Sequence, residues 1–466
     1  MYLTEGKTTV SAEGLKLSEE LVSGTQKVYM ETYGCQMNVN DSEVVMSILK
    51  QSGYEYTSKM ENADLILVNT CSIRENAEQR VRGRLDVFRL QKKRRPSLLI
   101  GIIGCMAERL KEKLLEEEKM VDLVVGPDAY RDLPKLIQLA GTGQKAVNVL
   151  LSREETYSDI SPVRYDSNGI SVFVSIMRGC NNVCAYCVVP YTRGGERSRD
   201  SHTILKEVRD IFDMGYREVT LLGQNVDSYR WTDPSTGDII NFPKLLGLVA
   251  QINPLLRVRF STSHPKDMTD EVLYTITQYS NICKSIHLPL QSGSSKILAL
   301  MKRGYTSDWY LNRIEAIRRI IPDCTITTDI IAGFCSETEE DHQQTISLIT
   351  EVKYDFAFMF KYSERPKTYA QRKYKDDVPE EIKKRRLQEI IDLQHKISAE
   401  SKKQDVGKIV EVLIEGSSKK SSNHLCGRTT QNKVVVFPRE NCSKGQYVKV
   451  RIENYTSATL KGKIIG

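Results

Sequence analysis

The segment "SVFVSIMRGCNNVCAYCVVP" covers residues 171–190 and joins an apolar run to three closely spaced cysteines. The run over 171–177 predicts a buried β-strand, and Cys180, Cys184 and Cys187 follow its end. We call these three residues the loop cysteines. Thiolates at such short spacing favour an iron–sulfur cluster or zinc.

A closed zinc site needs a fourth ligand, and the chain has no second C-x-x-C pair. Three cysteines on a [4Fe–4S] cluster would instead leave one iron without a protein ligand, where a cofactor or substrate can bind. The spacing therefore favours an open [4Fe–4S] cluster, with zinc as the alternative.

The strand over 171–177 is the first of six candidate strands that alternate with helical patterns. The other five are 218–223, 257–262, 285–290, 325–334 and 355–363. Six strand–helix units in a row predict a parallel sheet that curves into a partial barrel. Such barrels place their reactive groups at the carboxyl ends of the strands, which is where the loop cysteines lie.

A second alternation of strands and helices precedes this region. Apolar runs over 27–34, 63–70, 97–104 and 121–126 predict a small parallel sheet covered by helices. No G-x-G-x-x-G motif follows the first run, which argues against a dinucleotide site.

Cys35, Cys71 and Cys105 follow the first three of these runs, and we call them the strand-end cysteines. Because the carboxyl ends of parallel strands lie along one edge of a sheet, we expect these cysteines to be neighbours in a second three-thiolate site. The alternative is three buried packing residues. The remaining cysteines are interpreted as packing residues: Cys283, Cys324, Cys335, Cys426 and Cys442.

The last third of the chain combines a long amphipathic helix, predicted over 379–403, with short alternating strands. Residues 401–466 hold 13 Lys and Arg against 5 Asp and Glu, which is +8, whereas the whole chain has a net charge of +7. A small, basic all-β barrel is typical of oligonucleotide binding, although a basic surface alone would also aid solubility. Two further basic runs, 91–95 and 382–386, are candidate phosphate contacts, although solvated helix faces are favoured for both.

The predicted fold class is α/β with three domains. We expect a disordered leader over 1–24, an α/β domain over 25–150, a linker over 151–169, a partial (βα)6 barrel over 170–400 and an all-β barrel over 401–466. No apolar run reaches the length of a membrane span, and the N-terminus is unlike a signal peptide. Eleven cysteines in such a chain are expected to be reduced, so we predict a cytoplasmic protein.

Seven motifs together resemble the radical S-adenosylmethionine (SAM) methylthiotransferases, and the resemblance runs from about residue 27 to the end of the chain. They are "TYGCQMNVNDSE", "NTCSIRENAE", "GCMAER", "CNNVCAYCVVPYTRG", "LLGQNVDSY", "HLPLQSGS" and "MKRGY". Within the family, "GCQMN" (34–38), "NTCSIRENA" (69–77) and "LLGQNV" (221–226) are similar to the branch that makes 2-methylthio-N(6)-dimethylallyladenosine in tRNA. The all-β tail resembles the TRAM domain of RNA-modifying enzymes.

The resemblance implies two [4Fe–4S] clusters and SAM as cofactors. The loop cysteines would hold the cluster that reduces SAM, and the strand-end cysteines would hold an auxiliary cluster. The resemblance also places SAM against the backbone of Tyr186, against Gly223 and Gln224 in the loop 222–225, and against Gly333. Gln224 could instead be a capping loop residue, and Gly333 part of a core strand.

The implied reaction inserts a methylthio group at C2 of the modified adenosine beside the anticodon. One SAM would donate the methyl group and a second would supply the radical. The implied partners are the tRNA anticodon stem-loop, an electron donor and a sulfur donor, and we expect a monomer. The alternatives are the threonylcarbamoyladenosine branch, the ribosomal-protein branch, or another radical SAM enzyme that modifies RNA.

Two positions depart from the family pattern. Cys335–Ser336 stands where the family has Pro–Gly, and Lys367 stands where it has Gly. Neither position is a predicted cluster ligand, so we expect activity to be retained.

Overall fold

The structure is a computed structural model that describes residues 25–71, 75–165 and 168–465, with only the backbone for 75–79 and 112. The leader predicted over 1–24 lies outside the described residues. No helix among those that the structure describes is long and apolar enough to span a bilayer.

The N-terminal domain is a parallel six-stranded sheet with helices on both faces. Its elements are β1 Gln26–Thr32, α1 Gln36–Gln51, β2 Tyr54–Tyr56, β3 Leu65–Thr70, α2 Glu75–Arg94, β4 Leu99–Gly104, α3 Cys105–Leu110, α4 Glu112–Glu117, β5 Leu123–Val125, α5 Leu133–Gly141 and β6 Ala146–Asn148. The strand order is β2-β1-β3-β4-β5-β6, with all neighbours parallel. The four predicted strands are present, and two three-residue strands extend the sheet at its edges.

The two faces of this sheet have separate apolar cores. Helices α1 and α5 pack on one face, and α2, α3 and α4 pack on the other. All six residues of β3 are buried, as expected for a central strand covered on both sides.

The central domain begins with β7 Ser171–Ser175, β8 Met177–Arg178, α6 Val189–Arg193, β9 Arg197–Ser198, α7 Ser201–Asp213, β10 Glu218–Leu222, β11 Arg230–Thr232, β12 Ile239–Asn241, α8 Phe242–Ala250, β13 Arg257–Ser261 and α9 Asp270–Gln278. It continues with β14 Ser285–His287, α10 Ser295–Leu300, α11 Ser307–Ile320, β15 Thr325–Ala332, α12 Glu339–Val352, β16 Phe356–Lys361, α13 Tyr369–Lys373 and α14 Glu380–Lys403.

All six predicted barrel strands are present. They pair in parallel as two three-stranded sheets, β13-β10-β7 and β14-β15-β16. An isolated parallel bridge between Val258 and Ile282 lies between the two sheets. One continuous apolar core lies between these strands and the surrounding helices, so the strands form the expected partial barrel.

The C-terminal domain is a closed five-stranded barrel. Its strands are β17 Ile409–Ser418, β18 Ser421–Arg428, β19 Val434–Pro438, β20 Tyr447–Tyr455 and β21 Leu460–Ile464, in the order β17-β18-β19-β21-β20. The turn between β18 and β19 contacts the amino-terminal end of the partial barrel. There Arg259 Nη2 donates to the Thr429 carbonyl at 2.8 Å, and Thr325 Oγ1 donates to the Gln431 carbonyl at 2.8 Å. The predicted fold class is thereby confirmed, whereas the domain limits stay a prediction.

The segment predicted as a linker packs against the N-terminal domain. Tyr157 and Ile160 are buried in its core, and Tyr157 Oη donates to the Pro127 carbonyl at 3.0 Å. The described part of this segment between β6 and β7 has no helix or strand.

The two departures from the family pattern share one backbone property. Ser336 has φ of 62° and Lys367 has φ of 69°, both in the left-handed region where glycine is favoured. Cys335 is buried beside Phe334 and Tyr362, which agrees with its interpretation as a packing residue.

Candidate functional site

The loop cysteines lie on the turn between β8 and α6, at the carboxyl end of the first barrel strand. The Cys187 amide donates to the Cys184 carbonyl at 3.0 Å, which closes the turn. Two sulfur atoms accept backbone amides: Cys180 Sγ from Asn182 and Cys187 Sγ from Val189, each at 3.4 Å. Burial raises the pKa of the Cys180 thiol to about 11. A nearby cation would therefore be needed to hold this sulfur as a thiolate.

A buried guanidinium contacts the middle loop cysteine. Arg303 Nη1 donates to Cys184 Sγ at 3.1 Å, while its other nitrogens donate to Tyr305 Oη at 3.0 Å and to the Pro289 carbonyl at 3.2 Å. Because the other acceptors of Arg303 carry no charge, its positive charge is available to stabilise the thiolates of the loop cysteines.

The strand-end cysteines lie side by side at one edge of the N-terminal sheet. Cys35, Cys71 and Cys105 follow β1, β3 and β4, and these strands are consecutive neighbours in the sheet. A hydrogen bond from Cys71 lowers the pKa of the Cys35 thiol, and burial raises that of Cys105. Cys35 Sγ also donates to Asn38 Oδ1 at 3.2 Å. The expected proximity of Cys35 and Cys71 is present.

Arg193 connects the two groups of cysteines. It ends α6, six residues after Cys187, and its Nε donates to Cys105 Sγ at 3.2 Å. Its Nη2 donates to Asp41 Oδ2 at 2.8 Å. Six residues span at most about 20 Å. Both groups of cysteines therefore border the junction between the N-terminal domain and the partial barrel.

Several polar atoms that follow β10 and β13, in the same sheet as β7, are buried without hydrogen bonds. Among the described residues, Gln224 Oε1, both Asp227 carboxylate oxygens and Ser263 Oγ have no partner of good geometry, although Ser263 lies next to Asp227. Burial, together with the charge of Asp267, raises the pKa of Asp227 to about 8. Unpaired buried acceptors indicate space for a polar ligand with hydrogen-bond donors.

The structure places the predicted SAM contacts as follows. The Tyr186 ring lies against Phe334, and Arg303 Nη1 donates to its hydroxyl at 3.5 Å. Gly223 is buried, and a Cβ there would lie 2.4 Å from Met177 Cγ, so close packing explains this glycine. Gln224 follows it with a free carbonyl oxygen on its side chain.

Gly333 is explained by packing against α14. Its φ is 73°, a Cβ would lie 2.4 Å from Lys383 Cγ, and its amide donates to Glu337 Oε1 at 2.9 Å. The roles of Tyr186, Gly223, Gln224 and Gly333 toward SAM stay predictions.

An aromatic stripe lies on the inner face of the last barrel strand. Phe356, Phe358 and Phe360 of β16 are 48%, 43% and 38% exposed, whereas Ala357 between them is buried in the core beneath the helices. His287 of β14 contacts Phe358, with ring centroids 5.9 Å apart. We call Phe356, Phe358 and Phe360 the phenylalanine stripe.

A third group of possible metal ligands is better explained as an ion-pair network. Glu339, His342 and Glu389 have ligand atoms within 4.8 Å of one another. However, the Arg385 guanidinium donates to Glu339 at 2.6 Å and to Glu389 at 2.7 Å, and it would repel a cation there.

Comparison with known families gives three consecutive matches. Residues 27–126 match the uncharacterized protein family UPF0004, residues 174–349 match the radical SAM superfamily, and residues 403–465 match the TRAM domain.

Curated relatives are similar over almost the whole chain. The tRNA-2-methylthio-N(6)-dimethylallyladenosine synthase of Amoebophilus asiaticus is 61% identical over 94% of this chain and 93% of its own length. Proteins of the same name from Phocaeicola vulgatus and Christiangramia forsetii are 59% and 55% identical, over 95% and 96% of this chain and 96% of each relative. The chain belongs to the tRNA-2-methylthio-N(6)-dimethylallyladenosine synthase family. The predicted class, a radical SAM transferase with SAM and [4Fe–4S] cofactors, is thereby confirmed.

Solved structures support the fold at low sequence identity. The radical SAM methyltransferase TsrM from Kitasatospora setae, solved with cobalamin and a [4Fe–4S] cluster, aligns with a TM-score of 0.55 at 12% identity, over 75% of this chain and 77% of its own. The cobalamin-dependent radical enzyme OxsB, solved with aqua-cobalamin and SAM, aligns with a TM-score of 0.51 at 14% identity, over 80% of this chain and 56% of its own.

Three residues of the candidate site carried no role in the sequence-based prediction. They are Arg193, Arg303 and Asp227. All three lie in motifs that carry the family resemblance, at 180–194, 301–305 and 221–229. Their place in these motifs was the only sequence feature that could have indicated a functional role.

Proposed function

We propose that the loop cysteines hold the [4Fe–4S] cluster that reduces SAM, and that the strand-end cysteines hold the auxiliary [4Fe–4S] cluster of a tRNA methylthiotransferase. The observation that carries this proposal is the hydrogen bond from Arg193 to Cys105, which ties the loop of one group to a member of the other. Each group has three cysteines, so each cluster would keep one iron for an external ligand.

The proposed substrate is N(6)-dimethylallyladenosine next to the anticodon of tRNA, as in the family to which the chain belongs. Bound clusters would supply the electron that cleaves SAM to a 5′-deoxyadenosyl radical and an open iron for the sulfur that is transferred. A radical is needed because C2 of adenine has no acidic hydrogen for general-base removal.

The protein residues position the reactants. Gln224, Asp227 and Ser263 provide buried acceptors for the donors of SAM, whose ammonium and sulfonium groups are cationic. The phenylalanine stripe provides a surface on which an unstacked base can lie, since aromatic side chains stack on nucleobases of any sequence.

The basic C-terminal barrel supports binding of the anticodon stem-loop. It holds all of the chain's excess positive charge, and its β18–β19 turn is anchored to the partial barrel by Arg259 and Thr325. Contacts to RNA phosphates depend on such charge. The proposal also includes an external electron donor, an external sulfur donor and a cytoplasmic location. We propose that the chain acts as a monomer, because one chain already contains both groups of cysteines.

Nucleoside mass spectrometry of tRNA tests this function. Cells that lack the protein should accumulate dimethylallyladenosine without the methylthio group, and the intact gene should restore the mark. Loss of the mark from threonylcarbamoyladenosine instead, or an unchanged tRNA profile, would contradict the proposal.

A further inference from the structure

We propose that Arg193 is a positioning residue that holds the auxiliary cluster and raises its reduction potential. This inference rests on the proposed function, which assigns the strand-end cysteines to that cluster. Arg193 is buried, and its three nitrogens have different environments. Nε donates to Cys105 Sγ, Nη2 donates to Asp41, and Nη1 is buried without a partner among the residues that the structure describes.

The ion pairs around Arg193 leave an excess of positive charge. Asp41 accepts from Arg178 at 2.7 Å and from Arg193 at 2.8 Å, while Asp128 accepts from Arg197 at 2.7 Å. Three guanidinium groups thus share two carboxylates, which leaves one cation uncompensated within this buried group. An uncompensated buried charge is costly unless an anion lies beside it.

The strand-end cysteines supply that anion when they hold a cluster. A [4Fe–4S] core bound by three thiolates is negatively charged overall, and its inorganic sulfides accept hydrogen bonds. The free Nη1 donor of Arg193 has no acceptor in the described chain, and a cluster sulfide is an acceptor of suitable chemistry. The charge excess and the free donor of Arg193 are both satisfied by the same kind of ligand.

A cation and a hydrogen bond at a ligand sulfur stabilise the reduced cluster more than the oxidised one, because reduction adds negative charge. Arg193 should therefore make the auxiliary cluster easier to reduce. Arg197 separates charge from direct contact, because it belongs to the same group of three cations and donates to the Arg193 carbonyl but donates to no sulfur in its described contacts.

The experiment uses the full-length chain with the loop cysteines replaced by alanine, so that one cluster remains after anaerobic reconstitution. A redox titration followed by electron paramagnetic resonance gives its midpoint potential. We expect Arg193→Gln to shift the potential to more negative values, and Arg193→Lys and Arg197→Gln each to shift it less, because Arg193→Lys keeps the charge and Arg197→Gln keeps the hydrogen bond to Cys105.

Three results decide the inference. Equal potentials in Arg193→Gln and the parent, with the same iron content, would overturn it. Loss of the cluster in both Arg193 variants, but not in Arg197→Gln, would support the holding role. A parent that binds no four-iron cluster at the strand-end cysteines would instead overturn the proposed function itself, which separates the two failures.

Discussion

The two groups of cysteines offer similar ligands but are assembled in different ways. The loop cysteines lie within eight residues of sequence, and local turns set their geometry. The strand-end cysteines are separated by 36 and 34 residues, and only the parallel pairing of β1, β3 and β4 brings them together. The first group therefore depends on a turn, and the second depends on the whole N-terminal sheet.

The charges near the two groups also differ. Both signs of charge lie beside the loop cysteines, because Glu196 lies near Cys180 and the Arg303 guanidinium donates to Cys184 Sγ. Guanidinium groups predominate beside the strand-end cysteines, where Arg193 contacts Cys105. An anionic cluster alone fits the second environment.

The largest expected effect separates the roles of the two groups. Cys184→Ala should abolish SAM cleavage and product formation, a loss of at least about 1,000-fold, because the radical chemistry requires its cluster. Cys71→Ala should abolish the methylthio product while deoxyadenosine release continues. Both activities are measured by liquid chromatography and mass spectrometry after anaerobic reconstitution. Cys283→Ala, in the barrel core, is the control and should keep both activities; loss of SAM cleavage in Cys71→Ala would remove the distinction.

The glycine before the first cysteine of each group offers a test of how that group is assembled, by a local turn or by the pairing of distant strands. A Cβ at Gly179 would lie 1.9 Å from the Gly195 carbonyl oxygen, and one at Gly34 would lie 2.5 Å from Cys71 Cβ. Gly179→Ala and Gly34→Ala should each reduce the iron content from about eight to about four per chain. Only Gly179→Ala should abolish SAM cleavage.

Gly53→Ala is the matched control for strain without a clash, because Gly53 also has a positive φ but nothing lies within 4 Å of its Cβ position. Its iron content should match that of the parent. Equal loss of iron in all three variants would mean that general destabilisation, rather than local geometry, explains the result.

The buried carboxylate of Asp227 should make stability depend on pH. Burial raises the pKa of Asp227 in the folded chain to about 8, well above that of an ordinary carboxyl group, so the folded chain keeps a proton that the unfolded chain has lost. Its contribution to stability therefore decreases as pH rises from about 4 to 8. Asp227→Asn removes this contribution. The free energy of unfolding of the variant, relative to that of the parent, should therefore increase by about 3 kcal/mol from pH 5 to pH 7. Urea unfolding of the protein without cofactors measures it; a pH-independent difference would contradict the raised pKa.

The phenylalanine stripe should affect tRNA binding more than SAM cleavage. Phe358→Ala removes a stacking surface, for which we expect about tenfold weaker tRNA binding, with SAM cleavage in the absence of tRNA unchanged. Tyr274→Ala removes an exposed aromatic side chain from α9, on the outside of the barrel, and should have no effect. Filter binding at fixed salt gives the affinities. Equal affinities for the parent and Phe358→Ala would exclude the stripe from the RNA interface.

The smallest effect concerns two positions outside both groups of cysteines. Ser336→Gly and Lys367→Gly should each stabilise the chain by about 0.5 kcal/mol, because glycine relieves a left-handed backbone but costs entropy on folding. Ser336→Ala keeps the strain and is the control. Denaturant unfolding measures the change, and iron content should stay constant. Because Ser336→Ala loses the same hydroxyl contact with Asp377 as Ser336→Gly, equal stabilities of these two variants would mean that the backbone conformation is not the cause.

The features that could be predicted from the sequence were those set by local pattern. Long apolar runs located the central strands, and the spacing of the loop cysteines indicated their chemistry. The three-residue strands β2 and β6 were missed because runs so short have no readable period. Polar residues interrupt β18 and β21 of the C-terminal barrel, so no alternating apolar pattern marks these two strands in the sequence.

The cation contacts could not be predicted from any local pattern. Arg193 is 88 residues from Cys105, and Arg303 is 119 residues from Cys184, so only the tertiary packing brings each pair together. The packing of Gly333 against Lys383, which lies on a helix 50 residues further along the chain, likewise could not be predicted from a local pattern, and the role of Gly333 toward SAM stays a prediction.

Iron and sulfide analysis of the anaerobically reconstituted chain, together with its two triple-alanine variants, tests the central assignment most directly. We expect about eight irons in the parent and about four in each variant, with a SAM-dependent spectral change only where the loop cysteines remain. About four irons in the parent, unchanged when the strand-end cysteines are replaced, would contradict the assignment of a second cluster to Cys35, Cys71 and Cys105.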